Sequence, residues 1–466
     1  MNRIRPSCAA IAAAAILAGC VDLDRAAGVP THYVSHQMCS AVFVGGLDPD
    51  MFYREAVKPV IAPAGLLMDY RIDRTKGEVT ADLAGLVSSR SVFLGAEGCR
   101  VAHEGGAGAP IDQNDPPTAA QHAAKPLPVD PVSPALEAAL DREFAEPESG
   151  PHRWTKSVVI LRGGHIVAER YAPGYGPETP QIGWSVTKSV TNALIAILVR
   201  EKKLAINAPA PVAAWRDPKD PRHAITIDNL LRMNSGIEFG QSLYADWRSA
   251  FDPSVQMQFD MADEAAFAEA AFAETAELAA APGTRWNYTN GNTMLLARMI
   301  RDQAGGDAAS VLRFAHRELF DKLGMEHVTL EFDGAGTPIG SSHMWASARD
   351  WARFGQLYLD DSVVGGERIL PEGWVDYSAR LTPGSETYGY GAGFWTNRGT
   401  TGGAAKRVEL GMPPDSFMAR GTQGQYIVIA PSARLVVVRL GMAHDRYEDI
   451  DGVARLVADA IAAEAK

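Results

Sequence analysis

The stretch GWSVTKSVTNALIAILV, residues 183–199, places a serine and a lysine one helical turn apart at the start of an apolar run. Residues i and i+3 of a helix share a face about 5 to 6 Å apart, so the Lys188 ammonium can reach the Ser185 hydroxyl. The positive end of a helix and partial burial both favour the neutral amine, which can accept a proton. Serine is also the commonest helix cap, and about one S-x-x-K is expected by chance in a chain of this length. The motif alone leaves both interpretations open.

A second polar group follows about a hundred residues later in APGTRWNYTNGNTMLLARMI, where Tyr288 and Asn290 lie on a Pro- and Gly-bounded loop that leads into a helical pattern. This is the chain's only Y-x-N, and the first stretch is its only S-x-x-K. A tyrosine beside a lysine can act as the base that serine needs, and an Asn amide can orient the lysine or a substrate carbonyl. The alternative for Tyr288 is a capping aromatic with its hydroxyl on the surface.

The elements around these groups predict an α+β domain. A helical pattern, Leu136, Leu140 and Phe144, is followed by two β-rich segments, 158–161 and 166–169, on either side of a Gly-Gly turn. The chain ends with the strands of YIVIAPSARLVVVRL, which turn at a proline, and with a terminal helix. Terminal helices can then cover one face of an antiparallel sheet while the middle helices, 185–199 among them, cover the other.

Length and charge limit the class of protein. The chain has 466 residues, 46% hydrophobic and 21% charged, which is typical of a globular protein with more than one domain. A net charge of -12 leaves no large basic face, so we expect no nucleic-acid partner and a small-molecule, short-peptide or oligomer substrate.

The N-terminus predicts export. Arg3 and Arg5 precede an apolar run too short to span a membrane. The run ends in Leu-Ala-Gly-Cys20, which resembles the lipobox of bacterial lipoproteins. The resemblance implies a signal peptide over 1–19, acylation of Cys20, a tether over 20–30 and a periplasm-facing protein that the lipid alone attaches to a membrane of the cell envelope. A plain signal peptide or a buried first helix is the alternative.

The remaining cysteines favour a disulfide. Once Cys8 leaves with the signal and Cys20 carries lipid, Cys39 and Cys99 are left in an oxidising compartment. A bridge across about sixty residues contributes roughly 4 kcal/mol by chain-entropy estimates. Two buried free thiols are the alternative. No Cys/His spacing is that of a zinc site, and we expect neither a metal nor a cofactor.

Composition predicts three regions after the tether. Residues 31–105 contain short alternating runs, MCSAVFVGG and SVFLGAEGCRV, which suit a small α+β domain stapled by the disulfide. A Pro-, Gly- and Ala-rich stretch, 106–135, is typical of an extended linker. The second domain occupies 136–466.

The two motifs, in this order, resemble those of the class C β-lactamase-related serine hydrolases, a family that includes penicillin-binding carboxypeptidases, esterases and nylon-oligomer hydrolases. The resemblance covers roughly residues 136–466 and also rests on three framework stretches, ITIDNLLRMNSGIEF, FDKLGMEHVTL and GSSHMWASARDWARFGQLYLDD. It implies an antiparallel sheet flanked by helices with an additional all-helical region. It also implies Ser185 as the acylated nucleophile, Lys188 and Tyr288 as the acid/base pair, and Asn290 as an orienting side chain.

The family's third motif, Lys-Thr-Gly or His-x-Gly, is missing at the expected place. FMARGTQGQYIVIAP is the best substitute, and the resemblance implies that its turn supplies substrate-binding or oxyanion groups from Arg420, Gly421, Thr422 and Gln423. Arg420 is the only charged residue of that turn, and it either meets a substrate carboxylate or pairs with an acidic neighbour.

Together these features predict a serine hydrolase that cleaves an ester or a small linear amide through an acyl-enzyme. The alternatives are a penicillin-binding D-Ala-D-Ala carboxypeptidase or β-lactamase that uses the same residues, and a catalytically inactive binding protein of the envelope.

Overall fold

A computed structural model describes residues 28–62, 64–103, 126–239, 252–274, 278–445 and 448–463. The predicted signal peptide, Cys20, residues 20–27 of the predicted tether and residues 106–125 of the predicted linker lie outside these residues. The strands are β1 Met68–Asp73, β2 Glu78–Leu83, β3 Val87–Phe93, β4 Cys99–Val101, β5 Thr155–Arg162, β6 His165–Tyr171, β7 Gln181–Ile182, β8 Val328–Leu330, β9 Met344–Ala346, β10 Val363–Val364, β11 Glu367–Arg368, β12 Trp395–Thr396, β13 Phe417–Gly421, β14 Gln425–Ala430 and β15 Leu435–Gly441.

The α-helices begin with α1, which covers the described residues 28–39. They continue as α2 Pro49–Phe52, α3 Pro134–Phe144, α4 Thr187–Arg200, α5 Ile227–Leu231, α6 Pro253–Asp260, α7 Glu264–Glu274, α8 Asn290–Ala304, α9 Ala308–Ala315, α10 Asp321–Leu323, α11 Ala348–Leu359, α12 Trp374–Ala379, α13 Gly402–Glu409 and α14 Ile450–Ala462. None of the described helices is long and apolar enough to cross a membrane.

An antiparallel six-stranded sheet, in the order β12-β13-β14-β15-β5-β6, forms the centre of the larger part of the chain. Its predicted hairpin between β5 and β6 is confirmed, with Gly163 and Gly164 at φ 55° and 87° in the turn. Both faces of the sheet are buried. Val158 and Ile160 pack with α3 and α14, whereas Val159 and Leu161 pack with α4 and α11 on the opposite face. The prediction that terminal helices cover one face and middle helices the other is therefore confirmed.

The N-terminal part, residues 28–103, combines α1 and α2 with a four-stranded antiparallel meander, β1 to β4. The predicted disulfide is present between Cys39 and Cys99, with Cα atoms 6.0 Å apart. The hydrophobic core of this part is shared with the larger part, because α1 packs on Trp184 and Trp345 as well as on its own sheet.

One local prediction was wrong. The alternating run at residues 38–46 does not form a strand: residues 38–39 end α1, and a wider π-helical turn, Ser40–Val44, continues it. The run lies against both parts of the protein and is buried on most sides. A helix that is buried all round shows no amphipathic period, so its apolar and small residues can mimic strand alternation.

Candidate active site

Ser185 lies in a short 3₁₀ turn, Trp184–Val186, that leads into α4. No side chain caps α4, whose N-cap position is Val186, so Ser185 does not act as the helix cap. The preceding residue, Trp184, has a φ of 46°, a left-handed conformation that costs an L-residue roughly 1–2 kcal/mol. Backbone strain of this kind is typical of functional sites. Ser185 itself is partly exposed, and a small molecule can therefore reach it.

Lys188 is only 3% exposed, and its Nζ contacts three oxygens. These are Ser185 Oγ at 2.9 Å, Asn290 Oδ1 at 2.7 Å and the backbone oxygen of Ser341 at 2.8 Å. The amide and backbone oxygens can only accept hydrogen bonds, so they take two N–H groups of the lysine. In the neutral amine, the remaining lone pair then points at the Ser185 hydroxyl, which is the geometry that a general base requires.

Burial lowers the pKa of Lys188 to about 7. The cause is removal of the ammonium from water, which penalises the charged form. A lysine with this pKa is half neutral near pH 7 and can accept a proton under physiological conditions.

Tyr288 closes the site on the other side and is 3% exposed. The Lys188 Nζ lies 5.0 Å from the centre of its ring, and its hydroxyl shares a hydrogen bond with the Ser185 side chain. Burial raises the pKa of Tyr288, and the Ser185 hydrogen bond and the charge of Arg420 partly oppose that shift. The phenol is therefore protonated near neutral pH and suits the transfer of a proton better than its removal from serine.

Asn290 begins α8 and orients the lysine. Its Oδ1 accepts from Lys188, and its Nδ2 donates to Gln258 Oε1 at 3.2 Å. Gln258 in turn donates from Nε2 to Ser342 Oγ at 2.6 Å. A side-chain amide has an acceptor oxygen on one side and a donor nitrogen on the other. Rotating the Asn290 amide would therefore break both of these hydrogen bonds.

The altered third motif brings Gly421, the last residue of β13, against the nucleophile. A Cβ at Gly421 would lie 2.2 Å from the oxygen of Gly183 and 3.1 Å from the nitrogen of Ser185, so only glycine permits this approach. The first N–H groups of a helical turn have no partner within the turn. The Ser185 N–H is one of these groups. It lies beside the end of β13, where the partly exposed Thr422 begins the hairpin turn.

Arg420 lies between two rings, at 5.5 Å from that of Trp395 and 5.6 Å from that of Tyr426. Its guanidinium pairs with Glu448, with Nη2 3.0 Å and Nε 3.2 Å from the same carboxylate oxygen. The other oxygen of Glu448 accepts from the backbone N–H of Gln423 at 3.2 Å. Of the two interpretations of Arg420, the structure shows the acidic neighbour.

Gln423 faces the N-terminal part rather than the space in front of Ser185. Its Oε1 accepts from Trp184 Nε1 at 3.1 Å, and its Nε2 donates to the backbone oxygen of Ala56 at 2.7 Å. Tyr33 of α1 stacks on the same Trp184 ring, with ring centres 6.4 Å apart. Residues 28–103 therefore support the strained residue that precedes the nucleophile.

Behind the site, His36, Glu331 and His343 have ligand atoms within 4.8 Å of one another and are all buried. Glu331 Oε1 accepts from Ser40 Oγ at 2.6 Å and from the Cys99 N–H at 2.9 Å. The two imidazole rings are stacked with an angle of 6° between them. Ring lone pairs lie in the ring planes, and two stacked planes do not meet at a common ion. Both ring nitrogens of His343 also contact polar neighbours. This cluster therefore fits a polar contact between the two parts of the chain better than a metal site.

The two motifs predicted from the sequence are therefore brought together, and the third-motif turn lies beside them. Sequence reasoning missed Trp184, Gln258, Ser341 and Glu448. Gln258 and Glu448 carry no motif, and each reaches the site from a different element. The strain at Trp184 has no counterpart in residue type, because tryptophan is rare at positive φ.

Comparisons with known proteins identify relatives of this chain. The sequence profile of the family described as Beta-lactamase matches residues 142–462. The 6-aminohexanoate-dimer hydrolase of Paenarthrobacter ureafaciens is 24% identical over 239 residues, which are 48% of this chain and 56% of that protein. The match thus spans little more than half of that relative's length.

Solved structures share the fold. A putative 6-aminohexanoate-dimer hydrolase from Bacillus anthracis superposes with a TM-score of 0.55 at 20% identity, over 72% of this chain and 88% of that one. A family VIII carboxylesterase superposes with a TM-score of 0.51 at 16% identity, over 72% and 99%. Both matches leave out more than a quarter of this chain.

Proposed function

Because the chain belongs to the beta-lactamase family, we propose that it is a serine hydrolase that cleaves an ester or a small linear amide through an acyl-enzyme on Ser185. One observation carries the proposal. Lys188 is buried and has a pKa of about 7, and the lone pair of its neutral amine is the one hydrogen-bonding position left for Ser185 Oγ. Burial makes the charged form of a lysine unfavourable, and a hydrogen bond to a serine hydroxyl does not compensate for that loss. A lysine with a purely structural role therefore has no reason to be buried against a serine.

In the proposed reaction, Ser185 Oγ bonds to the substrate carbonyl carbon while its proton passes to Lys188 Nζ. The resulting oxyanion accepts hydrogen bonds from the backbone N–H groups of Ser185 and Thr422. Collapse of this intermediate breaks the bond to the alcohol or amine, which leaves with the proton of the lysine, relayed by the Tyr288 hydroxyl. Water then attacks the acyl-enzyme and gives its proton to Lys188 Nζ, which passes it to Ser185 Oγ as the acyl bond breaks and the acid leaves.

The preference for an uncharged ester or linear amide follows from Arg420. The compact cation of the family's third motif usually helps to hold a substrate carboxylate, but here the guanidinium pairs with Glu448. The Arg420–Glu448 pair has no net charge. It therefore offers little attraction to the carboxylate of a penicillin or a D-Ala-D-Ala peptide. The names of two similar proteins, a 6-aminohexanoate-dimer hydrolase and a carboxylesterase, support the hydrolysis of an amide or an ester.

The test is turnover by the purified chain of p-nitrophenyl esters, linear amides and a chromogenic cephalosporin, with Ser185→Ala as the matched control. We expect ester or amide turnover that Ser185→Ala abolishes, together with loss of fluorophosphonate labelling. Thermal stability should stay nearly unchanged, because Ser185 caps no helix. Preferential cephalosporin hydrolysis would favour the penicillin-recognising alternative, and absence of both turnover and labelling would favour the inactive binding protein. Labelling that persists in Ser185→Ala would place the nucleophile elsewhere.

A further inference from the structure

The three most exposed large hydrophobic side chains among the described residues are neighbours. Leu66, Leu67 and Leu86 are 80%, 64% and 84% exposed. Leu67 and the turn that carries Leu86 lie side by side, because the Ala84 N–H donates to the Leu67 oxygen at 3.1 Å. Scattered exposed leucines need no explanation, but a cluster at one end of a small sheet marks a surface that contacts something apolar. These three residues are called the leucine edge below.

The two loops of the leucine edge contain no polar side chain. Residues 64–67 read AGLL and residues 84–87 read AGLV. The second loop is a turn closed by a bond from Leu86 N–H to the Leu83 oxygen, with φ values of 54° at Ala84 and 72° at Gly85. Two positive φ values are the backbone of a type I′ turn, whose first position favours Asn or Asp. Alanine in that position accepts backbone strain and adds no polar side chain at the tip of the loop, while the Gly85 N–H donates to Asp82 Oδ1 at 2.6 Å below it.

Helix α1 shows where the chain enters this part of the molecule. The hydroxyls of Ser35 and Ser91 lie 2.9 Å apart near the middle of β3. One helical turn later, Cys39 is bonded to Cys99, which pairs with the far end of β3. Helix and strand therefore run in the same direction, and α1 begins at the end of the sheet that carries Leu86.

The first described residue, Gly28, stands eight positions after Cys20. Eight residues reach at most about 29 Å when fully extended. A lipid on Cys20 would therefore hold the start of α1 within that distance of the membrane surface. The start of α1, to which residues 20–27 connect the predicted anchor, and the exposed leucines lie at the same end of the N-terminal part.

We propose that the leucine edge inserts into the lipid surface to which Cys20 attaches the protein. The acyl chains supply the attachment, and the leucines supply a second, weaker contact that removes their apolar surface from water. Two points of contact orient the body, whereas a single flexible tether would leave it free to rotate. A lipid fits this surface because the three exposed side chains project from loop ends, where they can enter an apolar layer.

The test uses the chain from Cys20 onward, in which Cys20 is the only thiol outside the disulfide. Coupling it to maleimide lipid in phosphatidylcholine vesicles makes the tether independent of natural acylation. Hydrogen exchange is then compared with the same protein blocked by N-ethylmaleimide and mixed with plain vesicles. We expect exchange in residues 64–67 and 84–86 to slow by about threefold or more on tethering. The β1–β2 turn, residues 74–77, lies at the opposite end of the same sheet and should not change.

A triple variant, Leu66→Ser, Leu67→Ser and Leu86→Ser, provides the second arm. When this variant is tethered to the same vesicles, residues 64–67 and 84–86 should exchange at the rate of the blocked protein. Exchange in the turn at 74–77 and the melting temperature should be the same as in the chain without the three substitutions. Equal slowing at both ends of the sheet, no slowing at either, or slowing that survives the triple variant would overturn the proposal. None of these outcomes bears on the hydrolase activity, which is measured separately.

Discussion

The pKa of Lys188 predicts the pH dependence of the reaction. Only the neutral amine can take the Ser185 proton, and the pKa of Lys188 is about 7. The neutral fraction is then about one half at pH 7 and about one hundredth at pH 5. We therefore expect kcat/KM to fall tenfold for each pH unit below about 7 and to level off above pH 8. An unperturbed lysine would place this limb above pH 10 instead.

Asn290→Asp tests whether the limb belongs to Lys188. The substitution puts a carboxylate where the amide oxygen now lies, 2.7 Å from Nζ. An opposite charge at this distance favours the ammonium and should raise the pKa of Lys188 by about one to three pH units. At pH 7 the variant should lose about fivefold or more in kcat/KM and should recover most of that loss by pH 10.

The assay is kcat/KM for one p-nitrophenyl ester from pH 5 to pH 10, corrected for spontaneous hydrolysis at each pH. Asn290→Ala is the control, because it removes the same contact without adding charge and should not recover at high pH. A limb that stays near pH 7 in Asn290→Asp would mean that another group titrates, and the assignment of the base to Lys188 would be wrong.

Three further predictions concern other parts of the molecule. Lys188→Ala and Tyr288→Phe should each lower kcat by at least about 10²-fold, and the double variant should be little worse. The reason is that the effects of substitutions in one proton-transfer unit are not additive. Multiplicative losses in kcat would contradict the shared unit. Arg420→Ala should reduce turnover of a carboxylate-bearing ester and of its neutral analogue by the same factor, since the guanidinium is paired with Glu448; a rise in KM confined to the charged ester would show that Arg420 leaves that partner for the substrate. Cys20→Ala should move the protein from the membrane to the soluble periplasmic fraction with its activity intact. Cell fractionation and ester turnover measure the two effects, and continued sedimentation with membranes would mean that something other than the lipid anchors the protein.

Local patterns in the sequence were sufficient for the elements that hold the two motifs. The helix after Ser185, the Gly163–Gly164 hairpin and the terminal strands and helix were predicted because periodicity and turn residues act over a few positions. The same local rules were wrong at residues 38–46, where a helix buried on most sides lacks the one-sided pattern by which a helix is recognised.

The sequence by itself determined which groups could do the chemistry: a serine and a lysine one turn apart, a tyrosine and an asparagine to join them, and a third motif without its usual cation. Only the tertiary structure decided how those groups behave. Lys188 has a pKa of about 7 because packing excludes water around it, and Arg420 is paired because the chain brings Glu448 to it from 28 positions away. Burial and long-range contacts are properties of the packed chain, and no local pattern records them.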